Sequence, residues 1–413
     1  MEYGLIGEKL VHSYSPQIHA LLADYDYILC PLPKEQLHAF MTNASFKGIN
    51  VTIPYKKDVV PYCSALSEDA KEIGSVNTIV KRPDGTLFGH NTDVAGFINM
   101  LQHAGIKAAG KKAVILGSGG TSLTASIALK RLKAKEVVVI SRSGENNYAA
   151  LYEKHRDAQL LVNTTPVGMY PGNGQSPADL SRLPHLESVA DVIYNPEKTA
   201  LILQAEMLGL KTVSGLYMLV SQARKAAEMF TGQSIPEEKD AAITTVIKQQ
   251  TLNLVLIGMP GCGKTTIGQA LAEKMNRPLV DTDRLIEEKA GKTIPQIFAQ
   301  DGEDYFRSLE TQVLREACAM QGCVITTGGG AVLKEENRLA MCQNGRVCLV
   351  QRPLELLARD GRPLSQGDHA IENLWNQRKA LYELAADYVI ENNDTVAAAT
   401  NAAMEGFYEA AGH

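Results

Sequence analysis

The sequence has neither a long apolar run nor a paired cysteine motif. No stretch of its 413 residues approaches the ~20 apolar residues that a membrane-spanning helix needs. The seven cysteines are scattered without a C-x-x-C pair, which argues against a disulfide framework or a zinc site and fits a reducing compartment. The first residues lack the pattern of a secretory signal peptide, so we expect a cytoplasmic protein.

An excess of charge of one sign is also missing. The net charge is −5 at pH 7, which argues against broad binding to nucleic acids or anionic membranes. Anionic small molecules must therefore be held by local Arg, Lys and backbone N–H groups. Hydrophobic residues make up 45% of the chain, which is enough for packed cores, and the length suggests two or three domains. Nothing in the composition indicates an oligomeric state.

The second half of the chain contains a complete phosphate-binding loop. Residues 258–266 read GMPGCGKTT, after an apolar run at 252–257 and before apolar residues at helical spacing over 267–274. A strand, a glycine loop and a helix N-terminus cradle phosphates, so this pattern predicts a nucleoside triphosphate site. We expect Lys264 to reach the terminal phosphates and the Thr265 hydroxyl to coordinate Mg²⁺.

Charged groups that suit phosphoryl transfer follow this loop. Asp281 and Asp283 come after a short apolar stretch, and they are either ligands for metal and substrate or a solvated acidic turn. Three consecutive glycines at 328–330 end a second strand-like run and let a small ligand approach the backbone. Cys262, inside the phosphate loop, is either a reactive thiol or simply a small residue that fits there.

These elements together resemble shikimate kinase over about residues 252–413. The matching elements are the phosphate loop, Asp281-x-Asp283, Phe306-Arg307-x-x-Glu310, Gly328-Gly329-Gly330, Arg362-Pro363-Leu364 and Arg378-x-x-Leu381-Tyr382. The resemblance implies an α/β domain with a parallel sheet, similar to nucleoside monophosphate kinases, that uses ATP and Mg²⁺. The segment before Arg362 is shorter than in many members of the family, which puts the exclusion of water by this lid in question.

The resemblance also implies roles for individual residues. Asp283 takes the proton of the attacking hydroxyl, with Lys264 as the second catalytic group, and Glu310 orients Arg307. The implied ATP-binding residues are Gly261, Cys262, Gly263, Lys264, Thr265, Thr266 and, in a lid, Arg362. The implied shikimate ligands are Asp283, Arg307, Gly328, Gly329, Gly330 and Arg378, and the implied metal ligands are Thr265 and Asp281.

Polar residues at strand ends mark the first half of the chain. Residues 12–19 read HSYSPQIH, in which Ser15 is either a ligand-binding residue or only the N-cap of a helix that Pro16 starts. Residues 48–56 alternate as a strand that Pro54 interrupts, and Lys56 after it is a functional group or a solvated surface lysine. With Asn-Thr pairs at 77–78 and 91–92, this pattern predicts a cleft that hydrogen-bonds a polyol.

A glycine-rich turn then indicates a dinucleotide site. The apolar run at 113–116 leads into GSGGTS, which departs from the full G-x-G-x-x-G fingerprint because Ser122 holds its last position. The next apolar run, 137–140, ends in Ser141-Arg142-Ser143, where an NAD site would carry an acidic residue. A guanidinium between two serines suits a 2′-phosphate and therefore favours NADP over NAD.

The first half resembles shikimate dehydrogenase over roughly residues 1–248. Further matching segments are 163–169 (NTTPVGM), 191–196 (DVIYNP) and 215–223 (GLYMLVSQA). The resemblance implies an α/β substrate lobe at about 1–100 and 225–248, and a Rossmann-like NADP lobe at about 101–224. Only 19 residues (144–162) separate Ser143 from Asn163, so we expect a nucleotide lobe trimmed at that edge.

This second resemblance implies a catalytic Lys56–Asp93 pair, without deciding which of the two is the formal acid–base group. The implied shikimate ligands are Ser13, Ser15, Asn50, Thr52, Lys56, Asn77, Asp93, Tyr194 and Gln222. The implied NADP-binding residues are Gly117, Ser118, Gly119, Gly120, Thr121, Ser141, Arg142, Ser143, Val192, Gly215 and Met218.

The leading hypothesis is therefore a bifunctional enzyme that reduces 3-dehydroshikimate to shikimate and then phosphorylates shikimate. One alternative is a quinate or shikimate dehydrogenase that uses NAD, against which Arg142 argues. Another is a non-catalytic regulator on the same two folds, although Lys56, Asp93, Lys264 and Asp283 are all present. A loop at 233–238 leads into a last helix to about residue 248, so the linker to the second half is predicted to be only a few residues long.

Overall fold

The computed structural model describes residues 1–10, 13–357 and 370–412. The chain forms two compact units that do not follow chain order. The first unit comprises Met1–Val167, Ser176–Tyr194 and Gln204–Ile247. The second unit comprises Gly168–Gln175, Asn195–Leu203 and Lys248–His413.

The first unit is built on two sheets. The strands of its first sheet are β1 (Tyr3–Gly7), β2 (Tyr27–Pro31), β3 (Gly48–Val51), β4 (Ala65–Leu66), β5 (Thr78–Lys81) and β6 (Leu87–His90). This mixed sheet has the order β2-β1-β3-β5-β6-β4, with β5 antiparallel to both β3 and β6. The strands of its second sheet are β7 (Lys112–Leu116), β8 (Glu136–Ile140), β9 (Leu160–Asn163), β10 (Ser188–Asp191) and β11 (Lys211–Val213). This sheet is parallel, in the order β11-β10-β9-β7-β8.

The second unit holds one parallel sheet. Its strands are β12 (Asn253–Ile257), β13 (Leu279–Asp281), β14 (Val324–Thr326), β15 (Gly345–Gln351) and β16 (Tyr388–Glu391). The order β13-β14-β12-β15-β16 makes β12 the central strand, and all five of its residues are buried. The strand is apolar along its whole length because both faces of the sheet are covered there.

Helices cover the sheets, and the α/β fold predicted from the sequence is confirmed. The helices before the phosphate loop are α1 (Ser15–Leu22), α2 (Leu37–Asn43), α3 (Glu68–Ile73), α4 (Asp93–His103), α5 (Gly120–Arg131), α6 (Tyr148–Lys154), α7 (Ala200–Met207), α8 (Leu216–Thr231) and α9 (Glu238–Thr251). The later helices are α10 (Lys264–Met275), α11 (Thr282–Ala290), α12 (Ile294–Gln300), α13 (Glu303–Cys318), α14 (Glu335–Gln343), α15 (Ala370–Ala385) and α16 (Val396–Gly412). Short 3-10 turns occupy Lys34–Gln36, Val60–Tyr62, Leu180–Arg182, Ala331–Leu333 and Leu354–Leu356.

Two expectations from composition can be compared with this fold. Within the described parts of the chain, no helix combines the length and the apolar character needed to cross a bilayer. All seven cysteines lie in those parts and are free thiols. The expected short linker is also found, since only Leu252 separates α9 from β12.

A buried ion cluster holds one of the short segments in the second unit. The Glu197 carboxylate accepts hydrogen bonds from both terminal nitrogens of Arg346, at 3.2 and 3.3 Å, and lies 3.0 Å from Lys248 Nζ. Burial by itself would raise the pKa of Glu197, but the positive charges of Arg346 and Lys248 outweigh it and hold the pKa well below the usual carboxyl range. The ionised Glu197 therefore holds the segment Asn195–Leu203 in the second unit through its contacts with Arg346 and Lys248.

Removing this carboxylate should destabilise the second unit. E197A removes the carboxylate that pairs with the buried Arg346 and the partly buried Lys248, and we expect the free energy of unfolding to fall by about 3–5 kcal/mol. Trp375, the single tryptophan of the chain, lies in the second unit, so its fluorescence in urea reports this transition. The control E316A removes the exposed partner of Lys289 and should change stability little. Equal unfolding midpoints for E197A and wild type would contradict the role given to Glu197.

Candidate active sites

The first unit contains a cavity of about 410 Å³ next to β1 and β3. Eight of the residues predicted for the first site line it: Ser13, Ser15, Asn50, Thr52, Lys56, Asn77, Tyr194 and Gln222. They come from the start of α1, the end of β3 and the segment after it, the residue before β5, the segment after β10 and the helix α8. Hydroxyl and amide groups thus face the cavity from several elements, as a ligand with many hydroxyl groups requires.

A chain of polar contacts connects Lys56 to the interior. The Nζ atom of Lys56 lies 2.8 Å from Oδ2 of Asp93, the first residue of α4. The second carboxylate oxygen of Asp93 accepts a hydrogen bond of 2.9 Å from Asn77 Nδ2. The Lys56 side chain is only 29% exposed, so the alternative of a freely solvated surface lysine is wrong. The pair can hold a proton next to a substrate oxygen, because Asp93 fixes the orientation of the ammonium group.

The alternative role for Ser15 is also wrong. Tyr14 occupies the cap position of α1 and Ser15 is the first helical residue, with its side chain in the cavity lining. The Ser13 hydroxyl accepts a hydrogen bond of 3.3 Å from the backbone N–H of Ser15. The Ser15 side chain therefore does not cap α1, and it belongs to the cavity lining.

Two tyrosines support the cavity wall. The Tyr27 hydroxyl donates a 2.7 Å hydrogen bond to Oδ1 of Asn50, whose amide donates in turn to Thr78 Oγ1 at 3.0 Å. Burial raises the pKa of Tyr194, so its hydroxyl stays protonated and available as a donor. Tyr27 was missed in the sequence because its partner Asn50 lies 23 residues away. Lys9 and Leu10 were missed too, although they lie only a few residues before Ser13 in the sequence.

The predicted dinucleotide loop lies at the carboxyl edge of the second sheet. Gly117 follows β7 with a φ of +101°, and a Cβ atom there would come within 2.9 Å of Thr165 Cγ2, so a side chain is excluded on both counts. Its N–H donates a 2.8 Å hydrogen bond to the carbonyl of Ile140, the last residue of β8. This bond brings the glycine turn next to the Ser141–Ser143 segment.

The remaining predicted cofactor residues lie along the same edge. Ser118 and the cap residue Gly119 lead into α5, whose first residues are Gly120 and Thr121, and an added Cβ at Gly119 or Gly120 would meet no atom within 4 Å. Arg142 is exposed, and the Ser141 hydroxyl donates to the Ser143 carbonyl. Val192 follows β10 and contacts Gly215, which caps the helix that carries Met218. The open space at the turn fits a ligand that approaches the backbone, as a pyrophosphate does.

The second unit contains a cavity of about 500 Å³ around the phosphate loop. The loop residues that line it are Pro260, Gly261, Gly263, Lys264, Thr265 and Thr266. The Lys264 ammonium group donates to the carbonyls of Gly258 and Met259 at 2.9 and 3.0 Å, which keeps it at the loop. The strand–loop–helix arrangement predicted for this motif is confirmed by β12 and α10.

A carboxylate and a hydroxyl that suit a magnesium ion lie beside this loop. Asp281 ends β13 and caps α11 through Oδ1, which accepts from Arg284 N. Its other oxygen, Oδ2, lies 3.4 Å from Thr265 Oγ1 and accepts a 3.0 Å bond from Thr326. Mg²⁺ prefers oxygen ligands and binds through one or two carboxylates plus substrate phosphates, so these two groups fit that ion. No cluster of three or more His, Cys, Asp or Glu residues suited to a metal occurs in the described residues.

Asp283 projects into the cavity from the first turn of α11. Burial, and after it the charge of Asp281, raises the pKa of Asp283 above the ordinary range of an aspartate. A Cβ atom at Gly328 would lie 2.7 Å from Asp283 Oδ1, so only glycine leaves room for this carboxylate. The alternative of a solvated acidic turn is therefore wrong, and the raised pKa is typical of a carboxylate that accepts a proton.

Two arginines face the same glycines. Arg307 donates to Glu310 Oε2 at 2.8 Å, and an added Cβ at Gly330 would lie 2.3 Å from Arg307 Nη1. Arg378 donates to the Gly329 carbonyl at 3.0 Å. The two guanidinium groups line one side of the cavity and suit a carboxylate ligand, which they can bind with paired hydrogen bonds.

Some predicted residues lie elsewhere. The Cys262 side chain is fully buried and outside the cavity lining, so it fits as a small residue rather than an accessible thiol. Arg362, assigned above to a lid, falls outside the described residues. Sequence reasoning missed Asn392, which donates a 2.8 Å hydrogen bond to the Cys262 carbonyl and supports the phosphate loop from 130 residues away. It also missed Glu287 and Arg352 in the lining, which no motif marks.

Comparison with known proteins identifies both halves. Residues 5–79 match the shikimate dehydrogenase substrate binding domain, and residues 260–406 match shikimate kinase. A shikimate dehydrogenase (NADP(+)) of Clostridium perfringens is 36% identical over 267 residues, which cover 60% of this chain and 98% of that protein.

Solved structures agree with this match. A chorismate mutase/shikimate 5-dehydrogenase fusion protein from Clostridium acetobutylicum is 37% identical with a TM-score of 0.56, covering 60% of this chain and 97% of that one. Shikimate 5-dehydrogenase from Thermus thermophilus, in complex with NADP(H) and shikimate, is 30% identical with a TM-score of 0.53, covering 59% and 98%. The two resemblances stated from the sequence are confirmed. The chain therefore belongs to the shikimate dehydrogenase family and continues into a shikimate kinase domain, a fusion of two shikimate-pathway enzymes.

Proposed function

We propose that the first site reduces 3-dehydroshikimate to shikimate with NADPH and that the second site phosphorylates shikimate with ATP to shikimate 3-phosphate. The observation that carries the proposal is the Lys56–Asp93 pair, joined at 2.8 Å at a cavity lined by hydroxyl and amide groups. The second site supports it with a carboxylate and two arginines around the same three glycines. The two reactions are linked because the reduction creates the C3 hydroxyl that the kinase would use.

In the reduction, residues of the first cavity handle the proton. Lys56 donates a proton to the C3 oxygen of the substrate as the carbonyl becomes an alkoxide, and Asp93 holds the ammonium group in place. Asn77 keeps Asp93 oriented through its 2.9 Å hydrogen bond. The hydroxyls of Ser13, Ser15 and Thr52 bind the carboxylate and ring hydroxyls of the substrate. NADPH, when bound, supplies the hydride.

The cofactor is assigned to the edge of the second sheet. The glycine turn and α5 would hold the pyrophosphate, since the Gly119 and Gly120 backbone is open. Arg142, with Ser141 and Ser143, would bind the 2′-phosphate of the adenosine, while Val192, Gly215 and Met218 would contact the nicotinamide side. The NADP(+) named for the relative from Clostridium perfringens supports this choice over NAD.

In the phosphorylation, residues of the second cavity position both substrates. Asp283 accepts the proton of the C3 hydroxyl, whose oxygen forms a new bond to the γ-phosphorus as the bond to the β-phosphate oxygen breaks. Arg307 and Arg378 hold the shikimate carboxylate, and Lys264 neutralises charge on the transferring group. Thr265 and Asp281 would hold Mg²⁺, which when bound neutralises charge on the β- and γ-phosphates.

Further assignments belong to the same proposal. The dehydrogenase is assigned to residues 1–248 and the kinase to 252–413, with the substrate and NADP lobes as given above. The ligands are small molecules, not nucleic acids or membranes. We place the protein in the cytoplasm, which the free state of all seven cysteines supports.

Two variants should separate the reactions in one coupled assay with 3-dehydroshikimate, NADPH, ATP and Mg²⁺. Wild-type protein should form shikimate 3-phosphate. K56A should stop NADPH oxidation and still phosphorylate added shikimate, whereas D283N should accumulate shikimate. Loss of the proton-transfer group should cost each reaction about 100- to 10,000-fold.

The neighbouring groups supply matched controls for this assay. Lys57 is exposed beside Lys56, and Glu288 is exposed on the same helix as Asp283, so K57A and E288Q should keep both activities. Absence of shikimate 3-phosphate with folded wild-type protein would refute the proposed function. Equal loss of both activities in K56A or in D283N would refute independent sites.

Replacement of Arg142 should change the choice of cofactor. R142A removes the proposed partner of the 2′-phosphate, and we expect the KM for NADPH to rise about tenfold while the KM for NADH changes little. The control is R156A, which removes an exposed arginine that has no proposed role in cofactor binding. A wild-type preference for NADH, or an equal effect of R142A on both cofactors, would overturn the assignment.

As the pH falls, the kinase reaction should lose activity at a higher pH than it would if Asp283 titrated like a free aspartate. Because burial raises the pKa of Asp283, its basic form is lost as the pH falls through that raised value. We expect kcat/KM for shikimate to decrease well above pH ~4, where a free aspartate titrates. Initial rates from pH 9 to 5 measure this, with E288Q as control. A flat profile over that range would contradict the role of Asp283 as the base.

A further inference from the structure

Arg352 occupies a position that the proposed mechanism does not yet use. It follows Gln351, the last residue of β15, at the carboxyl edge of the parallel sheet. β15 pairs directly with β12, and Leu349 lies opposite Ile257, the residue before the phosphate loop. The chain therefore leaves β15 beside the place where the phosphate loop begins. Since β15 lies between β12 and β16, the sheet holds the backbone up to Gln351, directly before Arg352.

The side chain of Arg352 borders two cavities. It lines the kinase cavity together with Lys264, Thr265 and Asp283. It also lines a neighbouring cavity of about 260 Å³, whose wall includes Met259 from the phosphate loop and Asn393 after β16. Arg352 therefore lies between the kinase cavity, which contains Asp283, and the neighbouring cavity beside β15 and β16.

Within the parts of the chain that the structure describes, the Arg352 guanidinium has no hydrogen-bond acceptor or counter-ion. The other two arginines of the kinase cavity are engaged, Arg307 with Glu310 and Arg378 with the Gly329 carbonyl. Among the described residues no carboxylate or carbonyl accepts a hydrogen bond from Arg352, and its Nε atom is buried without a partner. A partly buried guanidinium that lacks an acceptor is costly, unless a ligand supplies the acceptor.

We propose that Arg352 binds the γ-phosphoryl oxygens of ATP as the group passes to the acceptor, an inference that rests on the proposed kinase function. A phosphoryl group offers several anionic oxygens, which a planar guanidinium can bind with two hydrogen bonds. The negative charge spreads over the equatorial oxygens in the transition state, so a fixed cation beside Lys264 stabilises that state. Arg352 acts from the end of a strand, whereas Arg307 and Arg378 are left for the substrate carboxylate.

The test compares R352A with wild type in two measurements. The kcat of shikimate phosphorylation should fall about 100-fold or more, as for loss of one preorganised donor. A non-hydrolysable ATP analogue should bind about tenfold more weakly, whereas ADP, which lacks the γ-phosphate, should bind as before. The analogue-to-ADP ratio is a readout that a merely structural role would not change.

Two further variants serve as comparison. R352K keeps a positive charge but loses the forked donors, so it should retain part of the kcat. If R352A does not fold, R352K replaces it in both measurements. R315A removes an exposed arginine of α13 that pairs with Glu336, and it should leave both measurements unchanged. Reduction of 3-dehydroshikimate and Trp375 fluorescence report folding in each variant.

The outcomes separate this inference from the proposed function. If wild type phosphorylates shikimate and R352A retains its kcat, or only raises the KM for shikimate, the role of Arg352 is overturned. Equal weakening of ADP and the ATP analogue also overturns it. If wild type fails to phosphorylate shikimate, the proposed function falls, and the analogue-to-ADP ratio still tests Arg352 as a γ-phosphate ligand.

Discussion

Parallel pairing of strands places the carboxyl ends of neighbouring strands at one edge, and both nucleotide-related regions are built on this constraint. In the second unit β12 lies between β14 and β15, so the phosphate loop emerges between the glycines after β14 and Arg352 after β15. In the second sheet of the first unit, β7 and β8 are neighbours, which brings the glycine turn next to Arg142. The chemistry at each edge thus comes from segments far apart in the chain.

Close approach of backbone and charged groups is the second recurring feature. The kinase cavity brings Asp283 and Arg307 so near to Gly328 and Gly330 that a single added carbon would clash with either group. Opposite charges can then face one small ligand from a short distance. Burial of the Arg307 charge is compatible with folding because Glu310 is its partner at 2.8 Å. The glycines therefore leave the space that these two charged side chains occupy in the cavity.

The sequence predicted those parts of the fold and sites that depend on local pattern. The central strand β12 and the helix α10 followed from apolar spacing, and the Lys56 and Asp283 sites from motifs. Contacts made across long stretches of chain could not be read in this way. Asn392 meets Cys262 and Tyr27 meets Asn50 only because the sheets bring them together. The role of Ser15 was open for a related reason. A serine at the start of a helix can cap the helix or face a cavity, and the sequence is the same in both cases.

The assignment of Asn195–Leu203 to the second unit has a consequence for any separation of the two halves of the chain. A split at residue 252, where the proposed kinase half begins, would leave Arg346 on one product and Glu197 with Lys248 on the other. The kinase product would then contain Arg346 without the carboxylate that pairs with it in the whole chain. An isolated kinase half would have to begin upstream of Glu197 to keep this ion cluster intact.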